Sequence, residues 1–348
     1  MKKNLKKVFS SAPLRMNDIG GWTDTWFSGE GKVLNMAISP RVEVEMQISG
    51  NSEKRTDRVC VHALDFGESF RVNPENPDYS NHPLLQGTLN SLPIPEELEL
   101  ELSIRSYLPA GSAVGTSASV CVSLLGALDV LQPKRFALED IASLAHRVET
   151  EKLGLQSGIQ DQVCAAQGGV CFIHMPAYPE ARVTRLALCL EFWEELDRRL
   201  SLVYLGSAHS SSTVHDLVIA SLERGDPRSS QIQVLRSLAE EAESCLKEGD
   251  LVHFGRVMDA NNEAQRALHP DLISAEADSV IRIAKKHDAL GWKVNGAGGQ
   301  GGSLTILGCQ DDKKRETMDR EIDSLGKGIR NLPVSLSADG LKVVEPDE

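Results

Sequence analysis

An α+β fold in two domains is what this sequence of 348 residues predicts, and three observations predict it. Val42–Ile48 and Leu98–Ile104 alternate apolar and polar side chains with the period of a strand. A stretch of small residues, Leu108–Ser119, runs straight into the apolar, helix-like segment Val120–Leu131. The second half sets strand-like Leu200–Gly206 and Ser303–Leu307 around long helical stretches that reach about Ala289. A chain this long buries a sizeable core and divides into two domains of ordinary size. The charged, mixed segment Ala181–Leu200 is the expected junction, giving domains at 1–195 and 196–348.

Each of the first two strands has one apolar and one polar face, which suits an antiparallel or mixed sheet covered on one side by helices. Asn73–Asp78 and Leu92–Pro95 are loop signals between them. After the small-residue stretch, Leu138, Ile141, Leu144, Ala145 and Val148 recur with a helical period, and Glu149 falls near that helix's end. Gly296–Gly302 holds too many glycines for regular structure and reads as a loop that lets backbone approach something closely. Val334–Ser337 and Gly340–Val344 supply short closing strands.

The formal net charge of −13 repels nucleic acid and anionic membranes, so neither is an expected partner and a small-molecule substrate fits best. The seven cysteines form no C-x-x-C pair and several lie in apolar runs, the pattern of buried thiols in a reducing compartment. The basic start Met1–Lys7 is followed by no apolar signal segment, and Val120–Leu131 is too short to span a bilayer. The expected location is the cytoplasm.

Leu108–Ser119 has the design of a phosphate cradle. Small residues let backbone pass close to a ligand, and the helix they open presents unpaired N–H groups to an anion. The same composition also serves as a purely structural turn. The stretch is not a Walker A loop, because no Lys or Arg lies between Arg105 and Lys134. Positive charge must then come from elsewhere, with Mg²⁺ the expected source. Asp161 follows a glycine turn in Ser157–Val163 and precedes small apolar residues, where it can take a proton from an acceptor hydroxyl or simply orient it; a helix cap is the other reading.

Ala12–Thr25, the small-residue loop and Gly296–Gly302 together resemble the three motifs of the GHMP kinases, the superfamily of galactokinase, homoserine kinase and mevalonate kinase. The resemblance spans most of the chain. Gly20–Thr25, Gly31–Asn35 and Ser157–Gln162 look most like the branch of L-fucokinase and D-glycero-D-manno-heptose 7-phosphate kinase. The central loop departs from the usual G-L-G-S-S, reading Ala113-Val114-Gly115-Thr116-Ser117.

The resemblance implies a ribosomal-protein-S5-like N-terminal domain and a ferredoxin-like C-terminal domain, with an active site between them. It implies an ATP- and Mg²⁺-dependent kinase acting on a sugar hydroxyl, the anomeric one in this branch. Another small-molecule GHMP activity, or a silent sugar- and ATP-binding sensor, are the alternatives. ATP is expected on Pro109, Gly111, Ser112, Ala113, Gly115, Thr116 and Ser117, braced by Gly298 and Gly299. Ser117 and Glu149 are the expected metal ligands, Glu149 standing 12 residues before Asp161; a solvated helix-end carboxylate is its alternative. Arg15 is expected to act with Asp161 in catalysis, or else to form a surface ion pair. Gly21, Trp22, Thr23 and Asp24, with Asp161, are expected to contact the sugar, although a tryptophan there also serves packing.

Overall fold

The computed structural model describes residues 6–208, 213–223 and 229–345. The first domain opens with two long strands, β1 (Lys6–Ile19) and β2 (Gly31–Gly50), then the short hairpin of β3 (Val59–Ala63) and β4 (Glu68–Val72). Helix α1 (Pro83–Leu89) and strand β5 (Leu98–Arg105) lead to α2 (Thr116–Asp129) and α3 (Leu138–Arg147). A π-helical turn (Val148–Lys152), α4 (Gln160–Gln167), β6 (Val170–Ala177) and β7 (Glu180–Arg185) follow. The second half runs α5 (Leu190–Arg199), β8 (Leu200–Leu205), α6 (Thr213–Glu223), α7 (Ser229–Glu248), α8 (Leu251–Leu268) and α9 (Ala275–Lys286). It continues through β9 (Gly291–Val294), β10 (Ser303–Leu307), α10 (Asp312–Asp323) and β11 (Ile329–Leu332), and ends with β12 (Ser335–Leu336) and β13 (Lys342–Val344).

The first sheet runs β13-β1-β2-β5-β3-β4, with only β3 and β5 parallel. Period-two patterning decides its faces. Val42, Val44, Met46 and Ile48 of β2 are buried with Leu100, Leu102 and Ile104 of β5, while Glu43 and Glu101 are exposed. β2 is long enough to serve two neighbours, β6 along Gly31–Met36 and β5 along Glu43–Gly50. Helix α2 packs on β1 and β2 and is buried on almost every side, as its run of small and apolar residues requires.

The second sheet has the order β11-β8-β10-β9, all antiparallel. Numbered within its own unit this is 4-1-3-2, the ferredoxin-like arrangement, with α9 and α10 closing a separate apolar core that includes Val203, Val280, Leu304 and Met318. One boundary differs from the sequence reading. Residues after Leu332 do not stay with the C-terminal half, because β12 pairs with Ser39–Ile38 of β2 and β13 with Phe9–Ser11 of β1. Strands this short carry no periodicity by which to assign them to a sheet. No helix among the described residues is long and apolar enough to cross a membrane.

Candidate active site

The loop between β5 and α2 is forced into shape by its backbone. Gly111, Ala113 and Gly115 all take positive φ, at 73°, 56° and 70°. At Gly115 a side chain would be strained by the positive φ and crowded, since a Cβ would lie 3.2 Å from both Arg15 and Asp161. The Ser112 hydroxyl donates to the Pro109 carbonyl at 2.5 Å, and the Arg15 N–H donates to the Val114 carbonyl at 2.9 Å. The loop is thus tied to β1, and the first N–H groups of α2 face a cavity of about 330 Å³ lined by Gly111–Ser117, Arg15, Asp161, Gly296 and Ala297.

Two further cavities adjoin it. A larger one, about 950 Å³ and mainly apolar, shares Thr116 and Ser117 and takes in Pro109, Phe66, His82 and Tyr107. A smaller one, about 160 Å³, shares Arg15, Asp161, Gly296 and Ala297 and is lined by Asp18, Trp22, Asp24 and Ser157. The loop cavity shares lining residues with each of the other two, so the three lie in a row, and Arg15 and Asp161 stand where the loop cavity meets the smallest one.

Asp161 is the second residue of α4 and takes a bidentate contact from Arg15, Nε to Oδ1 at 2.6 Å and Nη2 to Oδ2 at 3.2 Å. Arg15 Nη1 donates to the Ala113 carbonyl at 2.6 Å, so one guanidinium joins the loop to α4. Burial opposes the Arg15 charge, but Asp161 and Asp18 outweigh it and hold its pKa above the ordinary value. Asp24 is buried and accepts from the Gln160 N–H at 3.1 Å. Burial first, then the charges of Asp161 and Asp18, push its pKa up to about 6.

Glu149 sits on the π-helical turn after α3, buried, with Oε2 accepting from the Ser157 hydroxyl at 2.7 Å and from Gln162 Nε2 at 2.8 Å. Burial raises its pKa despite these bonds and one from Ser117. It is therefore a buried carboxylate beside the loop, with a hydroxyl as neighbour and no cation paired to it among the described residues. Such a donor set suits Mg²⁺, which takes one or two carboxylates and completes its shell with phosphate and water. No cluster of three or more His, Cys, Asp or Glu able to hold a metal alone occurs among the described residues.

Several expected contacts fall elsewhere. Gly298 and Gly299 are not part of the cavity lining; the Gly299 N–H donates to the Leu272 carbonyl at 2.8 Å, and a Cβ on Gly298 would lie 2.3 Å from that same oxygen. Gly298 is required for packing against Leu272, and Gly296 and Ala297 line the site in place of the two glycines. Gly21 and Thr23 also lie outside the lining. A Cβ on Gly21 would meet Asp18 at 2.6 Å, and the Thr23 hydroxyl accepts from the Lys32 N–H at 2.9 Å. Pro109 borders the apolar cavity and not the loop cavity.

Sequence reasoning missed the buried pair of Asp18 and Lys293, Nζ to Oδ1 at 3.0 Å with side-chain exposures of 1% and 0%. Asp18 also accepts from the Gly296 N–H at 3.0 Å, which fixes the floor shared by two cavities. The one available signal was a lysine inside the otherwise apolar β9, just ahead of the glycine loop. Tyr178 was missed as well: its hydroxyl donates to the Ser157 carbonyl at 3.0 Å and meets His146 Nε2 at 2.9 Å, and burial with Asp24 and Glu149 pushes its pKa up to about 12.

The chain thus joins a 4-1-3-2 sheet to a sheet whose glycine loop opens a buried helix, with a cavity row at that loop. A solved D-glycero-D-manno-heptose 1-phosphate kinase from Bacteroides thetaiotaomicron has the same fold, with a TM-score of 0.75, 21% identity, and coverage of 98% of this chain and 100% of that one. Residues 85–169 match the family model for the GHMP kinases N terminal domain. Mevalonate kinase of Thermococcus onnurineus is 29% identical over 58% of this chain and 57% of its own length, so the similarity spans little more than half of that relative. D-glycero-alpha-D-manno-heptose 7-phosphate kinase of Campylobacter jejuni is 24% identical over 85% of this chain and 88% of its own.

Proposed function

We propose that the protein is an ATP- and Mg²⁺-dependent sugar kinase that transfers the γ-phosphoryl group to a hydroxyl, the anomeric one, of a fucose-like or heptose-type sugar. The single observation that carries this is the row of three cavities with Arg15 and Asp161 where the loop cavity meets the smallest one. The apolar cavity suits a nucleoside, the α2 N-terminus its phosphates, and the small acidic cavity a sugar. The reading includes a division of labour, with 1–195 carrying the cradle and acceptor loop and 196–332 the glycine loop. A small-molecule enzyme of the cytoplasm, with neither nucleic acid nor membrane as partner, completes it.

The mechanism follows from what each group is free to do. Backbone N–H groups at the start of α2 hold the phosphates, and Arg15 keeps Asp161 beside them. Ser117 and Glu149 would hold Mg²⁺, which supplies charge neutralisation between the phosphates as they transfer. Asp161 accepts or orients the acceptor hydroxyl's proton. Asp24 receives a second sugar hydroxyl, and Trp22 offers an apolar ring face at the same cavity.

Charge favours a sugar over the mevalonate-type acceptor that some relatives' names suggest. The small cavity is lined by Asp18, Asp24 and Asp161, and its one cation among the described residues, Arg15, is already committed to Asp161 and the Ala113 carbonyl. A carboxylate-bearing acceptor would meet like charge, whereas hydroxyl groups donate to carboxylates readily. The complete set of Arg15, Asp161 and Glu149 also exceeds what a silent sensor needs. A panel of sugars, sugar phosphates, mevalonate and homoserine with ATP and Mg²⁺, followed by phosphorus NMR of the product, tests the reading. The expected product is a sugar 1-phosphate; turnover of mevalonate alone would overturn it.

A further inference from the structure

Helix α4, which carries Asp161, has no cap of its own. Ile159 occupies the cap position and offers no side-chain oxygen to the exposed N–H groups. The missing acceptor comes from 136 positions earlier in the chain, as the Asp24 carboxylate receives the Gln160 N–H at 3.1 Å. This contact is built in on both sides. The chain passes so close at Gly158 that a Cβ there would lie 2.1 Å from Asp24 Oδ2. On the opposite side of Gln160, Asn35 Nδ2 donates to its carbonyl at 3.3 Å. Asp161 is the next residue, and α4 is only eight residues long, so the grip on Gln160 sets where the Asp161 carboxylate points. Asp24 also lines the acceptor cavity with Asp161.

We infer that Asp24 is a positioning residue for Asp161: one carboxylate oxygen caps α4 at Gln160 while the other faces the acceptor, so that acceptor binding and the aim of Asp161 are coupled through one side chain. The inference rests on the proposed sugar-kinase reading and adds to Asp24 a role beyond receiving a hydroxyl.

The test separates the two oxygens. Asp24→Asn keeps an oxygen for the Gln160 N–H, Asp24→Ala keeps none, and Gly158→Ala drives Asp24 off the helix while leaving its charge in place. For each, kcat and KM are measured for the best sugar and for ATP, together with hydrogen exchange at the Gln160 amide. Both Asp24 variants should raise the sugar KM. The Ala variant should in addition lose about 10²-fold in kcat relative to the Asn variant, the order of loss that a displacement of ~1 Å from productive geometry brings. Gly158→Ala should show the same kcat loss with the ATP KM unchanged, and Gln160 exchange should quicken in both. Equal kcat for Asp24→Asn and Asp24→Ala, or unchanged Gln160 exchange in Gly158→Ala, would overturn the inference while leaving a sugar kinase. A wild-type protein that phosphorylates no sugar would remove the parent reading and this inference together.

Discussion

Replacing Lys293 by methionine isolates the charge pair that joins the two halves of the site. Methionine fills a similar volume, so the change removes a cation from a fully buried position without opening a large void. Asp18 is then left with the Gly296 N–H at 3.0 Å and with Arg15 Nη1 at 3.8 Å. At the observed 3.0 Å separation of Lys293 and Asp18, an effective dielectric near 20 gives a pair energy of ~5 kcal/mol. Breaking buried pairs by removing one partner is worth about 3–5 kcal/mol, and the remaining Arg15 places this case at about 3 kcal/mol. The measurement is urea unfolding at pH 7, read as a shift in midpoint at constant slope. Asp18→Asn combined with Lys293→Met should recover part of the loss, because it removes the stranded carboxylate. The sign with pH follows. In the wild type burial is outweighed by Lys293 and Arg15, and the Asp18 pKa is lowered, so its contribution is present above the ordinary carboxylate range and lost as pH falls through its folded pKa. In Lys293→Met the Asp18 pKa should move up, so the deficit should shrink as pH falls. A Lys293→Met protein that unfolds at the wild-type midpoint, or a double variant whose loss is the sum of the singles, would refute the reasoning.

Asp161→Asn should lower kcat by about 10²–10⁴-fold while calorimetric ATP affinity stays near wild type, and retention of more than about a tenth of kcat would contradict a general-base role. Glu149→Gln should raise the Mg²⁺ concentration giving half-maximal rate; an identical metal titration would return Glu149 to a purely structural hydrogen-bonding role. Asp24, with a folded pKa of about 6 against an ordinary 3.8, is stabilising only when protonated, so the fold should lose on the order of 3 kcal/mol as pH rises from about 4 to about 6 and not regain it above. Asp24→Asn should flatten that part of the stability curve, and an unchanged curve would show that Asp24 does not titrate there.

The sheet strands and the small-residue loop before α2 were legible because each rests on a local rule. Alternation placed Val42–Ile48 and Leu98–Ile104 with the correct faces inward, and small residues before an apolar run marked α2, which begins at Thr116 and so takes in the last small residues ahead of the expected Val120. Long-range pairing was not legible. The first half of β2 precedes a proline at position 40 and finds its partner β6 some 135 residues later, while β12 and β13 have too few residues to show any period. The π-helical turn that aims Glu149 depends on how α3 meets the loop beyond it, which no spacing within the helix reveals. Glycine was the other blind spot. Composition marked Gly296–Gly302 as a close-approach loop but could not say whether each glycine faces a ligand or a neighbouring carbonyl, and for Gly298 it is the Leu272 carbonyl.

The charge arrangement explains how a chain of net charge −13 could build the proposed phosphate site with no lysine in its loop. Arg15 is the nearest cation, yet each of its three nitrogens is engaged, Nε and Nη2 on Asp161 and Nη1 on the Ala113 carbonyl, so at most two of its five N–H groups can turn to another ligand. An arginine held this way cannot follow a phosphate as it moves. What it can do is fix the loop that cradles the donor and the helix that carries Asp161 in a single frame, since its guanidinium is planar and its contacts are directional. Lys293 does the same for the opposite wall through Asp18 and the Gly296 N–H. The cations therefore determine geometry, and on the proposed kinase reading attraction for the phosphates would be left to the α2 N-terminus and to a metal at Glu149. Donor and acceptor would then be held at a fixed distance by the fold itself, the condition under which orientation contributes most to the rate of transfer.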